Sequence, residues 1–480
     1  MLWRILLFVF IAVAVYNSYL KVLPPGVNVA GTFHGINESE IVFLTDETYV
    51  DGAGDRVSDQ KIFSAVFKLI EGAQEYILLD MFLFNAYQGA QPEDERALST
   101  ELVDLLVAKR NSNPEIKIVV VTDPINTVYS GVRHAGLEKL RDAGIGIILT
   151  DLKPLRDSNV IYSPFWRIFV QWFGNTEEGG FLKHPFDAKG RLVSVRSWLA
   201  LLNFKANHRK LIVADASAPA GGRTLRSMVM SANPHDASSA HENIAFMIDG
   251  SVAYDLIGSE QAVGEWSGTT IADTTVDLVQ ATGSVQVRML TEKAIRNALI
   301  TAIDQTGEGD SIDMVMFYIS DRPIIRAIKR ALDRGVVLHA VFDPNRDAFG
   351  FEKDGVPNRQ VAHELVSHKP DAVSVRWCNT SGEQCHSKVV AVRINNQVRV
   401  FGGSANLTRR NIGGYNLETN IEIRASRDSE VVRGVYDYIQ RISENANGRT
   451  YTVPYENFAD EGLIKRVRYL IQEVSGLSTF

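Results

Sequence analysis

The sequence lacks an excess of positive charge. Its 50 Lys and Arg stand against 57 Asp and Glu, a formal net charge of −7 at pH 7. No overall basic field recruits nucleic acid, although a local basic cleft is a separate matter. Cysteine is scarce, with Cys378 and Cys385 the only two. In an exported protein they close a small loop, and otherwise they are two free thiols. Regular metal-ligand spacing is also missing. His184, His235, His241 and His368 are scattered, so core or solvated histidines are expected and neither a metal nor an organic cofactor is implied. Hydrophobic content of 45% and charged content of 22% describe an ordinary globular chain. At 480 residues, two or three domains are expected rather than one core.

What is present is a short stretch that occurs twice. Asn207-His208-Arg209-Lys210-Leu211-Ile212-Val213-Ala214-Asp215 reads H-x-K-x4-D, and Cys385-His386-Ser387-Lys388-Val389-Val390-Ala391-Val392-Arg393 repeats the His and the Lys at the same spacing. Each copy is followed by a small-residue turn with an Asn, Ser231-Ala232-Asn233 and Gly403-Ser404-Ala405-Asn406. A loop at Gly221-Gly222 absorbs the extra length of the first copy. In a strand, residues i and i+2 share a face, so His208 and Lys210 project together, as do His386 and Lys388. Two such units facing each other place two imidazoles and two cations around one anionic group. That set supplies a nucleophile, an acid for a leaving oxygen and fixed positive charge for phosphoryl oxygens.

The duplicated H-x-K-x4-D with its following Ser/Ala-Asn turn resembles the phospholipase D (HKD) superfamily, in the manner of bacterial phospholipase D and cardiolipin synthase-like proteins. The resemblance implies a metal-independent phosphodiesterase or phosphatidyltransferase acting on phospholipid. His208 is then the nucleophile, giving a phosphohistidine, and His386 the acid, with Lys210, Lys388, Asn233 and Asn406 on the phosphoryl oxygens. Asp215 joins the catalytic set, and Ser404 joins the substrate-binding one. In the superfamily a Glu beyond the Asn turn hydrogen-bonds a catalytic His, and that role is carried to Glu242 and Glu418. Arg393 departs from the pattern, standing where the second motif lacks its Asp. Two other readings stay open: an exported or membrane-anchored nuclease of the same fold, and a non-enzymatic lipid-binding membrane protein.

The two halves match element by element. Helical patterns over 59–71, 98–110 and 137–143 alternate with strand patterns over 76–84, 117–122 and 145–150. In the second half the helices fall at 292–304, 323–334 and 361–367, and the strands at 312–318, 337–342 and 373–377. Alternation of this kind predicts parallel pairing with helices on the faces. Leu-Asp-Met-Phe against Ile-Asp-Met-Val, and Thr-Asp-Pro against Phe-Asp-Pro, support the duplication. The expected architecture is α/β: two phospholipase D-like lobes, each a mixed sheet flanked by helices, forming a pseudo-twofold monomer. The first lobe spans 38–263 and the second 285–476, with a Thr/Gly/Ser-rich boundary over 264–283 and a helix over 428–443.

Two segments have no counterpart in the repeat. Residues 1–24 carry the apolar run Ile5 to Tyr16, preceded by Arg4 and followed by Lys21 and Pro24-Pro25. No small-x-small cleavage site follows it, which favours an uncleaved anchor over a signal peptide. Either reading exports the body of the protein. The second is the insertion 151–205, whose aromatics from Phe165 to Phe173 are interleaved with Arg167. That pattern suits a membrane interface or an acyl-chain groove as well as an ordinary packing helix. The expected partners are a phospholipid substrate and a membrane, not nucleic acid.

Overall fold

The structure is a computed structural model that describes residues 1–89, 96–218, 221–276, 283–348 and 351–478. Two large mixed sheets dominate it. Eight strands form the first, in spatial order Arg56–Asp59, Ile41–Val50, Asn243–Asp249, Arg223–Met230, Lys210–Ser217, Tyr76–Met81, Lys117–Thr122 and Gly146–Leu149. Nine form the second: His34–Ile36, Val285–Thr291, Thr419–Ser426, Gln397–Gly403, Lys388–Ile394, Ser311–Met316, Val337–Phe342, Val373–Cys378 and Thr452–Pro454. Parallel pairing holds for only part of each sheet. The strand carrying each His-Lys motif runs antiparallel to both neighbours, because a hairpin with no helical crossover follows it.

The helices form where the sequence supplies a cap and a stripe. In Arg322–Asp333, the Asp321 carboxylate accepts the Ile324 N–H and Pro323 sits in the first turn. Ile324, Ile328, Ala331 and Leu332 then bury one face. Each sheet is covered on its outer face by three helices, Ile62–Gly72, Leu98–Ser112 and Ala135–Asp142 on the first and Glu292–Asp304, Arg322–Asp333 and Asn358–His368 on the second. The inner faces share one apolar core. Leu78, Val213 and Phe246 of the first sheet join Val315, Val389 and Ile423 of the second, with helices Val252–Trp266 and Glu430–Ser443 wedged in. Strands buried on both faces explain the continuous Val/Ile/Leu runs.

The backbone register corrects one sequence alignment. Lys210 pairs with Met81, and Lys388 with Met316. Asp80 is therefore the counterpart of Val315, not of Asp313, and the shared element is Met-Phe. The first residues of the expected boundary at 264–283 are helical. Gly264 lies inside helix Val252–Trp266, where a Cβ would come within 2.7 Å of the Thr269 carbonyl. Residues 277–282 of that stretch lie outside the described residues. The N-terminal helix is apolar from Leu2 to Leu20, almost wholly exposed, and long enough to cross a membrane.

Candidate active site

The two motif strands end at one cavity of about 350 Å³, lined by both His208 and His386. Backbone hydrogen bonds between the lobes put them there. The His208 N–H donates to the Leu417 carbonyl at 2.9 Å, and the Leu417 N–H to Ala206 at 3.0 Å. On the other side of the pseudo-twofold, Glu242 donates to Gln384 at 3.0 Å. Each motif is also held from the preceding residue. The Asn207 N–H donates to Asp123 at 2.6 Å and the Cys385 N–H to Asp343 at 2.9 Å. These are the two Asp-Pro aspartates of the repeat.

Strand alternation then sorts the side chains. Lys210 Nζ donates to the His208 carbonyl at 2.7 Å, and Lys388 Nζ to the His386 carbonyl at 2.7 Å. Arg209, between them in sequence, points the other way and is fully buried, donating to Glu260 at 2.8 Å and Glu292 at 2.9 Å. Glu292 belongs to the second sheet's helix and also accepts the Glu418 N–H at 3.1 Å, so this ion pair ties the lobes behind the site. Phe82 backs His208 at 4.6 Å between ring centroids, with Lys210 Nζ 5.0 Å from its centroid. Phe317 does the same for His386 and Lys388, at 4.9 Å and 5.1 Å. These are the two Phe of the Met-Phe pair that the backbone register brings into correspondence.

The partners of the two histidines differ. His208 Nδ1 donates to the Glu418 carboxylate at 2.9 Å. Glu418 is itself fixed by Ser404 Oγ and Asn411 Nδ2. His386 Nδ1 is 3.1 Å from Asn243 Oδ1. The amide orientation follows from its other contacts, since Asn243 Nδ2 donates to the His241 carbonyl and Ser231 Oγ to Oδ1. Ser231 and Ser404 both receive the N–H of the residue after that partner, Ile244 and Thr419. Asn243 therefore occupies the place of Glu418, and the role expected of Glu242 does not fall to it. Glu242 corresponds to Leu417 and lies buried beside the Cys378–Cys385 disulfide, with Oε2 lacking a hydrogen-bond partner among the described residues.

Other expected residues separate similarly. Asn233 and Asn406 line the cavity, and Asn406 Oδ1 has no protein partner among the described residues. Ser404 is fully buried against Glu418 and positions it instead of facing a ligand. Glu418, equally buried, acts through His208. Asp215 sits at the far end of its strand, roughly 20 Å from His208 at the usual rise per residue. Its carboxylate accepts the N–H groups of Gln74, Glu75 and Tyr76 at 3.1, 2.9 and 2.9 Å and binds Arg223. Arg393 grips the matching turn with the opposite polarity, donating to the Gly309 carbonyl at 2.7 Å and to Ser311 Oγ at 3.3 Å. The missing Asp is thus a change in how a remote turn is tied. Asp215→Asn is expected to lower stability by about 2 kcal/mol and to leave turnover intact, read by thermal unfolding beside an activity assay.

The insertion divides in two. Pro185, Phe186, Leu201 and Phe204 form an apolar wall of the cavity. The run Phe165 to Phe173 does not line it. Phe165, Phe169, Trp172 and Phe173 point outward, and Trp166 is stacked under the Arg196 guanidinium at 3.9 Å. Three more polar residues line the cavity: Asn411, which sequence reasoning missed, His235, expected only as a core or solvated histidine, and Arg410, which the sequence offers equally as a grip for a second phosphate and as an exposed helix-start arginine.

The electrostatics follow from burial of four basic groups together. Burial pushes His208 down to about 4, with Lys210 and Lys388 acting in the same direction and Glu418 opposing them. His386 falls well below its ordinary value through burial and then Lys388. Burial brings Lys210 to about 7 against the pull of Glu418, and Lys388 is lowered by burial and by Lys210. Burial alone would raise Glu418, but His208 and Lys210 outweigh it and hold the carboxyl below the usual range. Such a site is poised to take up an anion, whose charge restores the protonated lysines.

Two mirrored sheets, each delivering a His-Lys pair to a shared chamber, define the two-lobed phospholipase D-like fold. Residues 299–442 match the family model described as cardiolipin synthase, PLD-like domain. The phosphatidylserine synthase of Haemophilus influenzae Rd KW20 superposes with a TM-score of 0.57 at 10% identity, covering 97% of this chain and 98% of that one. Nuc of Salmonella typhimurium, a phospholipase D family member, matches 36% of this chain and 98% of its own at 18% identity, with a TM-score of 0.28. None of the curated proteins compared matches. Residues 299–442 thus carry a phospholipase D-like domain, set in a two-lobed fold that the chain shares with the phosphatidylserine synthase over nearly its whole length.

Proposed function

We propose that the protein cleaves or transfers the phosphodiester of a phospholipid through a phosphohistidine on His208. The observation that carries this reading is the chamber itself, where two His-Lys pairs meet an apolar wall supplied by the insertion. His208 Nδ1–H is held by Glu418, which leaves Nε2 with the lone pair. Nε2 bonds to phosphorus while the bond to the head-group oxygen breaks, and His386 gives that oxygen its proton. Water or an alcohol then gives a proton to His386 and attacks phosphorus, and the P–N bond breaks to restore His208. Lys210, Lys388, Asn233 and Asn406 hold the phosphoryl oxygens. Asn406, whose amide oxygen has no partner among the described residues, is also placed to accept from an incoming hydroxyl. The name of the matched family and that of the bilobal relative support phospholipid as the substrate class. A nuclease fits less well, because an apolar wall offers nothing to a polyanion. We further propose the lobe boundaries 38–263 and 285–476, and an anchor at 1–24 with the body on the exported side.

Product analysis after incubating the full chain with defined phospholipids tests this reading. Release of a head-group alcohol with phosphatidic acid means hydrolysis, and a new phosphatidyl ester in the presence of glycerol or phosphatidylglycerol means transfer. Turnover is expected to persist in excess chelator, since the basic groups supply the charge a divalent ion would otherwise provide. Complete loss, restored by one metal, would overturn the mechanism.

A further inference from the structure

The C-terminal helix Leu463–Ser475 carries its apolar residues on the wrong side for a core. Leu463, Ile464, Val467, Ile471 and Val474 recur at the spacing of one helical face, yet all are exposed, Ile464 at 86%, Val474 at 68% and Ile471 at 60%. The opposite face makes the protein contacts. Tyr469 is buried and donates to the Ser320 carbonyl at 3.0 Å, and buried Glu473 accepts from Ser320 Oγ at 2.8 Å and from the Arg409 N–H at 3.0 Å. The helix is therefore firmly seated with its apolar stripe outward. Arg466 and Arg468 flank that stripe, the latter paired with Asp354.

What covers the stripe is indicated by its neighbours. Residues 157–160 form a strap between two apolar elements. The Asp157 N–H donates to the Asn17 carbonyl, at the base of the N-terminal helix, at 3.0 Å. The Val160 N–H donates to the Ser475 carbonyl at 3.2 Å, and Gly476 packs so closely that a Cβ would meet the Ser158 carbonyl at 1.9 Å. Immediately after the strap come the outward Ile161, Phe165, Phe169 and Trp172, the last 74% exposed. Three exposed apolar surfaces thus meet on four residues. One is a helix of membrane-spanning length, and set across a bilayer it would hold the other two close to the bilayer surface.

We infer that the outward face of helix Leu463–Ser475 is a second membrane-contact surface, lying in the boundary between head groups and acyl chains of a bilayer beside the aromatic run of the insertion. Trp172 suits that depth, and Arg466 beside the stripe suits anionic head groups. The helix also ends on the active chamber. The Gly476 and Ser478 carbonyls accept from Arg410, which lines the cavity. Seating the helix on lipid therefore brings that side of the cavity to the substrate's own phase. This inference rests on the N-terminal helix and holds whichever reaction the chamber performs.

The test uses the full chain in vesicles of phosphatidylcholine and phosphatidylglycerol. Ile471→Trp and, separately, Val474→Trp add a fluorescent reporter on the exposed face. The emission gained over the parent protein is expected to be quenched by lipids brominated on the acyl chain and protected from aqueous iodide. Quenching by iodide and not by brominated lipid would overturn the proposal. So would protection from both, with a dimer in detergent that Ile464→Ser/Ile471→Ser/Val474→Ser converts to monomer, because a second copy would then cover the face. That triple variant is also expected to lose turnover of vesicle lipid while keeping turnover of a soluble short-chain phosphodiester. A protein inactive on every phospholipid refutes the proposed function, and the quenching result stands apart from it.

Discussion

His208→Ala is expected to reduce turnover by at least about 10⁴-fold and to eliminate any phosphoenzyme trapped by acid quench. His386→Ala is expected to slow turnover as well, yet to let the phosphoenzyme accumulate on His208 from substrates whose leaving group needs no proton. The asymmetry comes from the two Nδ1 partners. A carboxylate beside His208 stabilises the positive charge that imidazole gains when Nε2 bonds to phosphorus. The amide of Asn243 beside His386 fixes the ring without favouring its protonated form, which suits a group that must give a proton away. A phosphoenzyme mapped by mass spectrometry to His386 in the parent protein would reverse the assignment. The control is Lys388→Met, which removes charge but neither imidazole, and which should weaken both steps without moving the label.

Much of this site was legible because the chemistry sits on strands. The i, i+2 rule placed each His beside its Lys, and duplication placed two such pairs in one chain. The resemblance then suggested a common chamber. What the sequence did not show was register. Asn233 and Asn406 are followed by connections of unequal length, so counting forward from the Asn reached Glu418 in one lobe and Glu242 in the other. The hydrogen bonds of Ser231 and Ser404 identify Asn243 as the true counterpart. The same kind of slip aligned Asp80 with Asp313, where identity of a residue outweighed a pairing that only the backbone reveals. Asp215 was drawn into the site because it belongs to the motif as a string, although a strand carries it about seven residues away. The aromatic run of the insertion could be read as core or as interface from its spacing alone. Exposure decides between these, and it depends on what the rest of the fold leaves uncovered.

The pH profile gives the sharpest test of the electrostatics, because two conservative substitutions should move it in opposite directions. In the free protein Lys210 lies near 7 and His208 near 4. The first must be protonated to grip a phosphoryl oxygen, and the second must be neutral to attack. The profile of kcat/KM, which reports the free enzyme, should therefore fall as pH drops through about 4 and again on the alkaline side, as Lys210 loses its proton near 7 and His386, the general acid held below its ordinary value by burial and Lys388, loses the proton it must give. Because the basic groups interact, each arm belongs to the cluster and not to one residue. The profile of kcat should hold to higher pH, since the bound phosphodiester anion raises the lysines. Asn243→Asp adds a carboxylate beside His386, favours the charged lysines and should shift the alkaline arm upward. Glu418→Gln removes the carboxylate that supports both Lys210 and His208, so the alkaline arm should shift downward. Loss of support for the imidazolium should also cut kcat by about 10²-fold or more. Parallel shifts in both variants, or none in either, would mean that the two lobes do not share one electrostatic site.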